Sequence, residues 1–254
     1  RIAGEDAGAI GKEPPARIEL PPDATDADVE AYYKLKKDTT FSTAQACTAH
    51  ILVADEATAT KLLADIKAGA LGVGEVGKQF GLRITKPDGS RLHVDDPEID
   101  PLWDEFAKLD VPVFIHTAEP QEFFQPQDMH NERWLELSLF ADRRNNQPGQ
   151  VTFEQLMTER NNMIRNHPKT RWVLAHFGSH ANDLGRLGRM FDEMPNVYSE
   201  VGAVLYDIGR QPRVAHDFFV KYQDRILFGK DSFQPEEYPY YWRVFETRDE
   251  YFDY

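Results

Sequence analysis

The sequence predicts an α/β barrel that is incomplete within this chain. Three observations lead there. A length of 254 residues, 41% of them hydrophobic, suits one barrel-sized core. From residue 46 onward, short apolar runs alternate with amphipathic stretches closed by Gly or Pro, the rhythm of βα units. Most of those runs are almost continuously apolar, as expected of parallel strands covered on both faces.

Taken in order, residues 1–40 are rich in Ala, Asp, Pro and Gly without a sustained apolar period, so they read as an irregular segment with one short helix near 26–36. The barrel domain is then 41–254. Its strand candidates are CTAHILVA (47–54), ALGVGEV (70–76), VPVFIH (111–116), RWVLAH (171–176), NVYSEVG (196–202) and RILFG (225–229). Six strands are two short of a closed eight-stranded barrel, which places the first two strands, and the last helix, outside this chain.

Between the strands, Asp100 reads as an N-cap followed by Pro101, with Leu102, Trp103, Phe106 and Leu109 on one face. Thr152 and Gln155 form a capping box ahead of Leu156, Met157 and Ile164. Leu184, Leu187, Met190 and Phe191 fall at helical spacing, and Pro212 opens a helix carrying Ala215, Phe218, Phe219 and Tyr222. The stretch from Thr117 to Gln150 is too long for an ordinary βα connection and reads as a roof over a site.

Composition excludes several classes of partner. A net charge of −14 argues against a nucleic-acid backbone. No apolar run approaches the roughly 20 residues of a membrane span. A single cysteine, Cys47, rules out an internal disulfide or a cysteine-rich zinc site. The expectation is a cytoplasmic enzyme of a small-molecule substrate, acting as a homodimer.

Three strands share an ending. VPVFIH stops at His116, RWVLAH stops at His176, and RILFGKDS delivers Asp231 just beyond its last apolar residue. Neighbouring parallel strands bring their C-terminal ends to one mouth, where reactive groups gather. Two imidazoles and a carboxylate suit a borderline divalent metal, Zn²⁺ first, or a metal-activated water with a nearby base. Each residue alone has an ordinary structural reading, a strand-end histidine or a turn aspartate. Their common position favours the functional one.

Further motifs extend the match: GALGVGEVGKQFGL, DGSRLHVDDPEIDPLWDEFAKLDVPVFIHTAEPQEFF, NERWLEL, VLAHFGSHANDLGRL, NVYSEVGA, GRQP and KYQDRILFGKDS. In this order they resemble the amidohydrolase-related family of metal-dependent hydrolases, which includes the aminocarboxymuconate semialdehyde decarboxylase type. The resemblance spans about residues 60–254. It implies a TIM-like (β/α)₈ barrel, with His116 as metal ligand on the family's fifth strand. It likewise implies His176 on the sixth, binding metal or polarising substrate and water, and Asp231 on the eighth, as ligand and proton acceptor. One feature departs from the family: no His-x-His pair occurs among the eight histidines.

Secondary candidates surround this set. Glu75 and Lys78 stand at the end of the 70–76 run, either reaching the mouth or pairing with each other. Glu119, His130, Arg133 and Trp134 lie on the long loop, where Arg133 suits a carboxylate and Trp134 suits packing. His180 either lines the pocket or starts the next helix. The leading activity is hydrolysis of a C–N or C–O bond by a metal-activated water. Non-oxidative decarboxylation of an aromatic or unsaturated acid is the alternative, and an inactive barrel serving as a binding or subunit-interaction module is the third reading.

Overall fold

The computed structural model describes Gly69 and residues 71–251. The strand expected at 47–54 and the helix at 26–36 lie outside the described residues. Within them, β1 (Val73–Val76), β2 (Val113–Ile115), β3 (Trp172–Leu174), β4 (Val197–Glu200) and β5 (Ile226–Leu227) form one sheet in sequential order. Every pairing is parallel. The array is an α/β barrel wall left open among the described residues, with β1 and β5 at its edges.

Register is set by the side chains buried on one face, while the alternate Phe114, Val173 and Tyr198 are only half-buried. Val113 pairs with Trp172 and Trp172 with Val197, while Ile115 pairs with Leu174 and Leu174 with Ser199. Because these rows are level, the residues that follow them emerge at one end of the sheet. That end carries His116, His176 and Glu200.

The helices pack as the apolar spacing predicts, with local corrections. In α1 (Asp100–Lys108) the N-cap is Ile99, one residue earlier than expected, and Asp100 caps nothing. Its carboxylate lies 3.0 Å from His167 Nε2, while Asp104 lies 2.9 Å from Nδ1, so a buried histidine takes both acids. Trp103 and Phe106 are fully covered, and Trp103 meets Trp172 edge-on at 5.2 Å. In α3 (Phe153–Asn166) Thr152 Oγ1 accepts the Gln155 N–H at 3.2 Å. The reciprocal half of the box is missing because the Gln155 side chain reaches forward to Glu159 at 3.1 Å.

Asp183 caps α4 (Leu184–Glu193), whose Leu184, Leu187, Met190 and Phe191 are buried. After the single turn α5 (Leu205–Ile208), α6 (Pro212–Tyr222) buries Ala215, Phe218, Phe219 and Tyr222. After β5, α7 (Tyr238–Glu246) packs on α6. Its Phe245 stacks on Phe219 at 4.4 Å. Among the described residues no helix is long and apolar enough to cross a membrane.

The 117–150 connection folds over the sheet end. Phe123 in the short turn Gln121–Phe124 and Leu137 in the short helix α2 (Trp134–Leu139) are fully buried and anchor it, while Trp134 stays half exposed.

Candidate active site

A cleft of about 300 Å³ opens at the C-terminal end of the sheet, beneath the 117–150 connection. His116, His176 and Asp231 line it, together with Lys78, Glu119 and Arg133 from the sequence expectations. Glu75, His180, His130 and Trp134 are not among its lining residues.

His116 follows β2 directly, and its backbone N–H donates to Val76 O at 2.9 Å, extending the β1 pairing by one residue. Its Nδ1 stands 3.1 Å from Glu75 Oε1. Bonding to that imidazole holds the Glu75 carboxyl below its usual range, against the opposing effect of burial. Glu75 therefore orients a cleft residue from behind, rather than facing a substrate itself.

His176 occupies a left-handed turn. His176, Phe177, Gly178 and Ser179 have φ of 53, 52, 59 and 62°. A non-glycine residue pays about 1–2 kcal/mol for that region, so surrounding contacts must hold the turn. Phe177 is buried between Phe218 and Phe219, at 5.8 and 5.7 Å. Ser179 Oγ donates to Thr117 O at 2.9 Å. The His176 backbone N–H donates to Glu200 Oε1 at 2.6 Å, and ring Nδ1 lies 2.8 Å from the Gly202 carbonyl. The two histidine rings meet edge-to-face at 4.5 Å.

Asp231 stands 3.7 Å from His176 Nδ1, with its carboxylate 62% exposed. Glu200, at the end of β4, is buried, and burial pushes its carboxyl up against the pull of His176. Two glycines make room for it. A Cβ at Gly202 or at Gly229 would come within 2.6 Å of Glu200 Oε2. Sequence reasoning missed Glu200, although a carboxylate inside an otherwise apolar strand run is itself a signal.

The cations of the cleft are engaged. Lys78 Nζ pairs with Glu119 at 2.6 Å, so each satisfies the other. Arg133 pairs with Glu136 at 3.0 Å, donates to the Tyr206 hydroxyl, and stacks over the Tyr206 ring at 4.0 Å. Arg143 also pairs with Glu136. Beside them, burial pushes the Asp207 carboxyl up to about 6, with Arg133 opposing and Glu122 adding to the shift. Tyr206, Asp207 and Glu136 carry no local sequence signal that marks them as cleft residues. Arg210 pairs with Glu132 at 2.8 Å outside the cleft lining.

His180 is placed differently from a substrate contact. It is 1% exposed, faces Arg160 at 3.3 Å, and packs edge-on to Phe153. Burial, followed by the nearby Arg160 charge, drives its imidazole down to about 2, so it is neutral. The left-handed turn at 176–179 sends His180 into the core.

The donor set bears on a divalent metal through its protonation pattern. The Nδ1 of each cleft histidine faces an acceptor, the Glu75 carboxylate or the Gly202 carbonyl, which makes Nδ1 the protonated nitrogen and leaves Nε2 with a free lone pair. That tautomer frees one Nε2 on each ring for a borderline divalent ion, while the Asp231 carboxylate stands on the Nδ1 side of His176. The three do not close into a tight cage. Among the described residues, the group whose donor atoms all lie within 4.8 Å of one another is instead His93, Asp95 and Glu159. There Glu159 already accepts from Arg91 at 2.9 Å, Val94 N–H at 3.2 Å and Gln155 at 3.1 Å, and the guanidinium repels a cation.

Comparison with known proteins bears on this arrangement. No curated protein matches the chain in sequence. A crystal structure of 2,6-dihydroxybenzoate decarboxylase complexed with 2,6-dihydroxybenzoate is similar at 19% identity and TM-score 0.47, over 76% of this chain and 62% of that one. A dihydroxybenzoic acid decarboxylase from Polaromonas sp. JS666, with bound manganese and the inhibitor 2-nitroresorcinol, is 17% identical with TM-score 0.46, over 72% of this chain and 57% of that one. IDCase from Metarhizium anisopliae in apo form is 19% identical with TM-score 0.35, over 66% of this chain and 47% of that one. The chain thus spans less than two thirds of the length of these structures. The family described as Amidohydrolase matches residues 41–250, a range that contains the whole parallel sheet and every residue of the cleft. The chain therefore belongs to the amidohydrolase family.

Proposed function

We propose that the cleft hydrolyses a C–N or C–O bond of a small organic substrate with the help of a divalent metal. The observation that carries this reading is the joint placement of His116, His176 and Asp231 on one cleft, with Nδ1 of both rings occupied. His116, His176 and Asp231 would hold a divalent cation, and its charge would acidify water and polarise a carbonyl.

The chain's own groups do the rest. Asp231 is open to the cleft and accepts the proton of the attacking water at its carboxylate. His176 is locked through Nδ1–H, so its Nε2 presents a lone pair and would help hold the cation, whose charge, rather than an N–H of this ring, would face a developing oxyanion. Lys78 and Arg133, neutralised by Glu119 and Glu136, orient polar substituents without adding net charge.

Metal analysis tests the reading, with Zn²⁺ and Mn²⁺ assayed side by side. Stoichiometric metal, lost in His116→Ala and Asp231→Ala together with a fall of about 100-fold or more in kcat/KM, supports it. No metal, and no rate difference between wild type and these variants, leaves a binding module. Decarboxylation is the second reading, favoured by Arg133 in the cleft wall. Release of CO₂ from aromatic acids, in place of hydrolytic products, would establish it.

A further inference from the structure

We infer that Arg160, a fully buried arginine of α3, is a positioning residue for His176. Arg160 is 0% exposed, and among the described residues it takes part in no ion pair. A buried cation without a carboxylate is costly unless its hydrogen bonds serve something. Its donors go to Gly178 O at 2.5 Å, His180 Nε2 at 3.3 Å, Asn161 Oδ1 at 3.1 Å and Met190 Sδ at 3.4 Å. The shortest of these ends on the left-handed turn, two residues beyond His176.

The geometry around that bond is selective. At Gly178 a Cβ would meet Arg160 Nη1 at 3.2 Å and Leu174 Cδ1 at 3.0 Å, so the glycine serves both the positive φ and the approach of the guanidinium. His180 is neutral and offers Nε2 as an acceptor, so it shares the cation without competing for it. Every other tether of the turn is a neutral hydrogen bond or an aromatic contact, apart from the Glu200 carboxylate at its start. Arg160 thus supplies the charge-assisted bond that fixes the far end of the turn. Through it, α3 sets the angle at which His176 meets the Gly202 carbonyl and turns Nε2 to the cleft.

The inference rests on the proposed function only in taking His176 as a cleft residue, and its test needs neither metal nor substrate. In ¹⁵N-histidine-labelled protein, long-range ¹H–¹⁵N correlations report the tautomer of each ring, and His176→Gln identifies the His176 signals. Arg160→Met is expected to shift or broaden the His176 Nδ1–H pattern while leaving that of His116 in place. Arg160→Lys, which keeps the charge but replaces the planar fork by a single ammonium group, is expected to restore the wild-type pattern in part. A folded Arg160→Met protein with an unchanged His176 pattern overturns the inference. If the methionine variant does not fold, the lysine variant decides by the same signals. A lysine variant that also fails to fold assigns Arg160 to the core in general and overturns the inference as well.

Discussion

Glu200 accepts the backbone N–H of His176 at 2.6 Å and the N–H of Gly202, whose carbonyl in turn faces the His176 ring at 2.8 Å. One buried carboxylate therefore holds both ends of the contact that fixes the imidazole. Glu200→Ala leaves two backbone donors without a partner and is expected to cost about 2 kcal/mol or more, while Glu200→Gln, which retains one acceptor, costs less. Urea unfolding of the two variants at neutral pH measures the difference. Equal stabilities would remove Glu200 from the support of His176.

The space around that carboxylate gives a second expectation. A Cβ at Gly229 would fall 2.6 Å from Glu200 Oε2 and 3.4 Å from Glu200 Cδ, where the N–H groups of His176 and Gly202 hold the carboxylate in place. Gly229→Ala is expected to destabilise by about 1–3 kcal/mol, as overpacked sites do. Gly77 meets nothing within 4 Å, so Gly77→Ala serves as the control. Thermal unfolding distinguishes the two, and identical melting temperatures would contradict the crowding.

These contacts show what the sequence could and could not reveal. His116 and His176 were legible because each interrupts an apolar strand run at its end, and parallel register alone brings such ends together. Arg160 carried a usable signal, since it falls on the α3 stripe of Phe153, Leu156, Met157, Met163 and Ile164, where a charge is out of pattern. His180, expected to line the pocket or start the next helix, does neither, because the left-handed turn at 176–179 carries it into the core and Asp183 caps the helix instead. Tyr206 and Asp207 lie on a single turn after β4. Their approach to Arg133 spans 73 residues of sequence and depends on where the 117–150 connection lands, which no local period encodes.

The cluster of His93, Asp95 and Glu159 supplies a third prediction. Arg91 and Glu159 form a buried pair, with Glu159 only 7% exposed and further bound by Val94 N–H. Glu159→Ala is expected to cost about 3–5 kcal/mol because it strands a partly buried guanidinium. His93→Ala, by contrast, should leave metal uptake unchanged, since the carboxylate it faces is already saturated. Calorimetric titration with Zn²⁺ checks the second part, and a lost binding step in His93→Ala would relocate the metal.

Asp207 yields a pH dependence whose sign follows from its burial. Its carboxyl is pushed from 3.8 up to about 6 in the folded cleft, chiefly by burial, with Arg133 opposing and Glu122 reinforcing. Between those two values the folded chain holds a proton that the unfolded chain has released, so stability falls as pH rises through the window and stays lower above it. The full loss is about 3 kcal/mol for a shift of this size. Asp207→Asn removes the ionisation. The variant is therefore expected to match wild type near pH 4 and to exceed it by up to about 3 kcal/mol near pH 7.5, as measured by urea unfolding at both pH values. A stability gain equal at both pH values, or none at pH 7.5, would show that the carboxyl ionises without strain in the cleft.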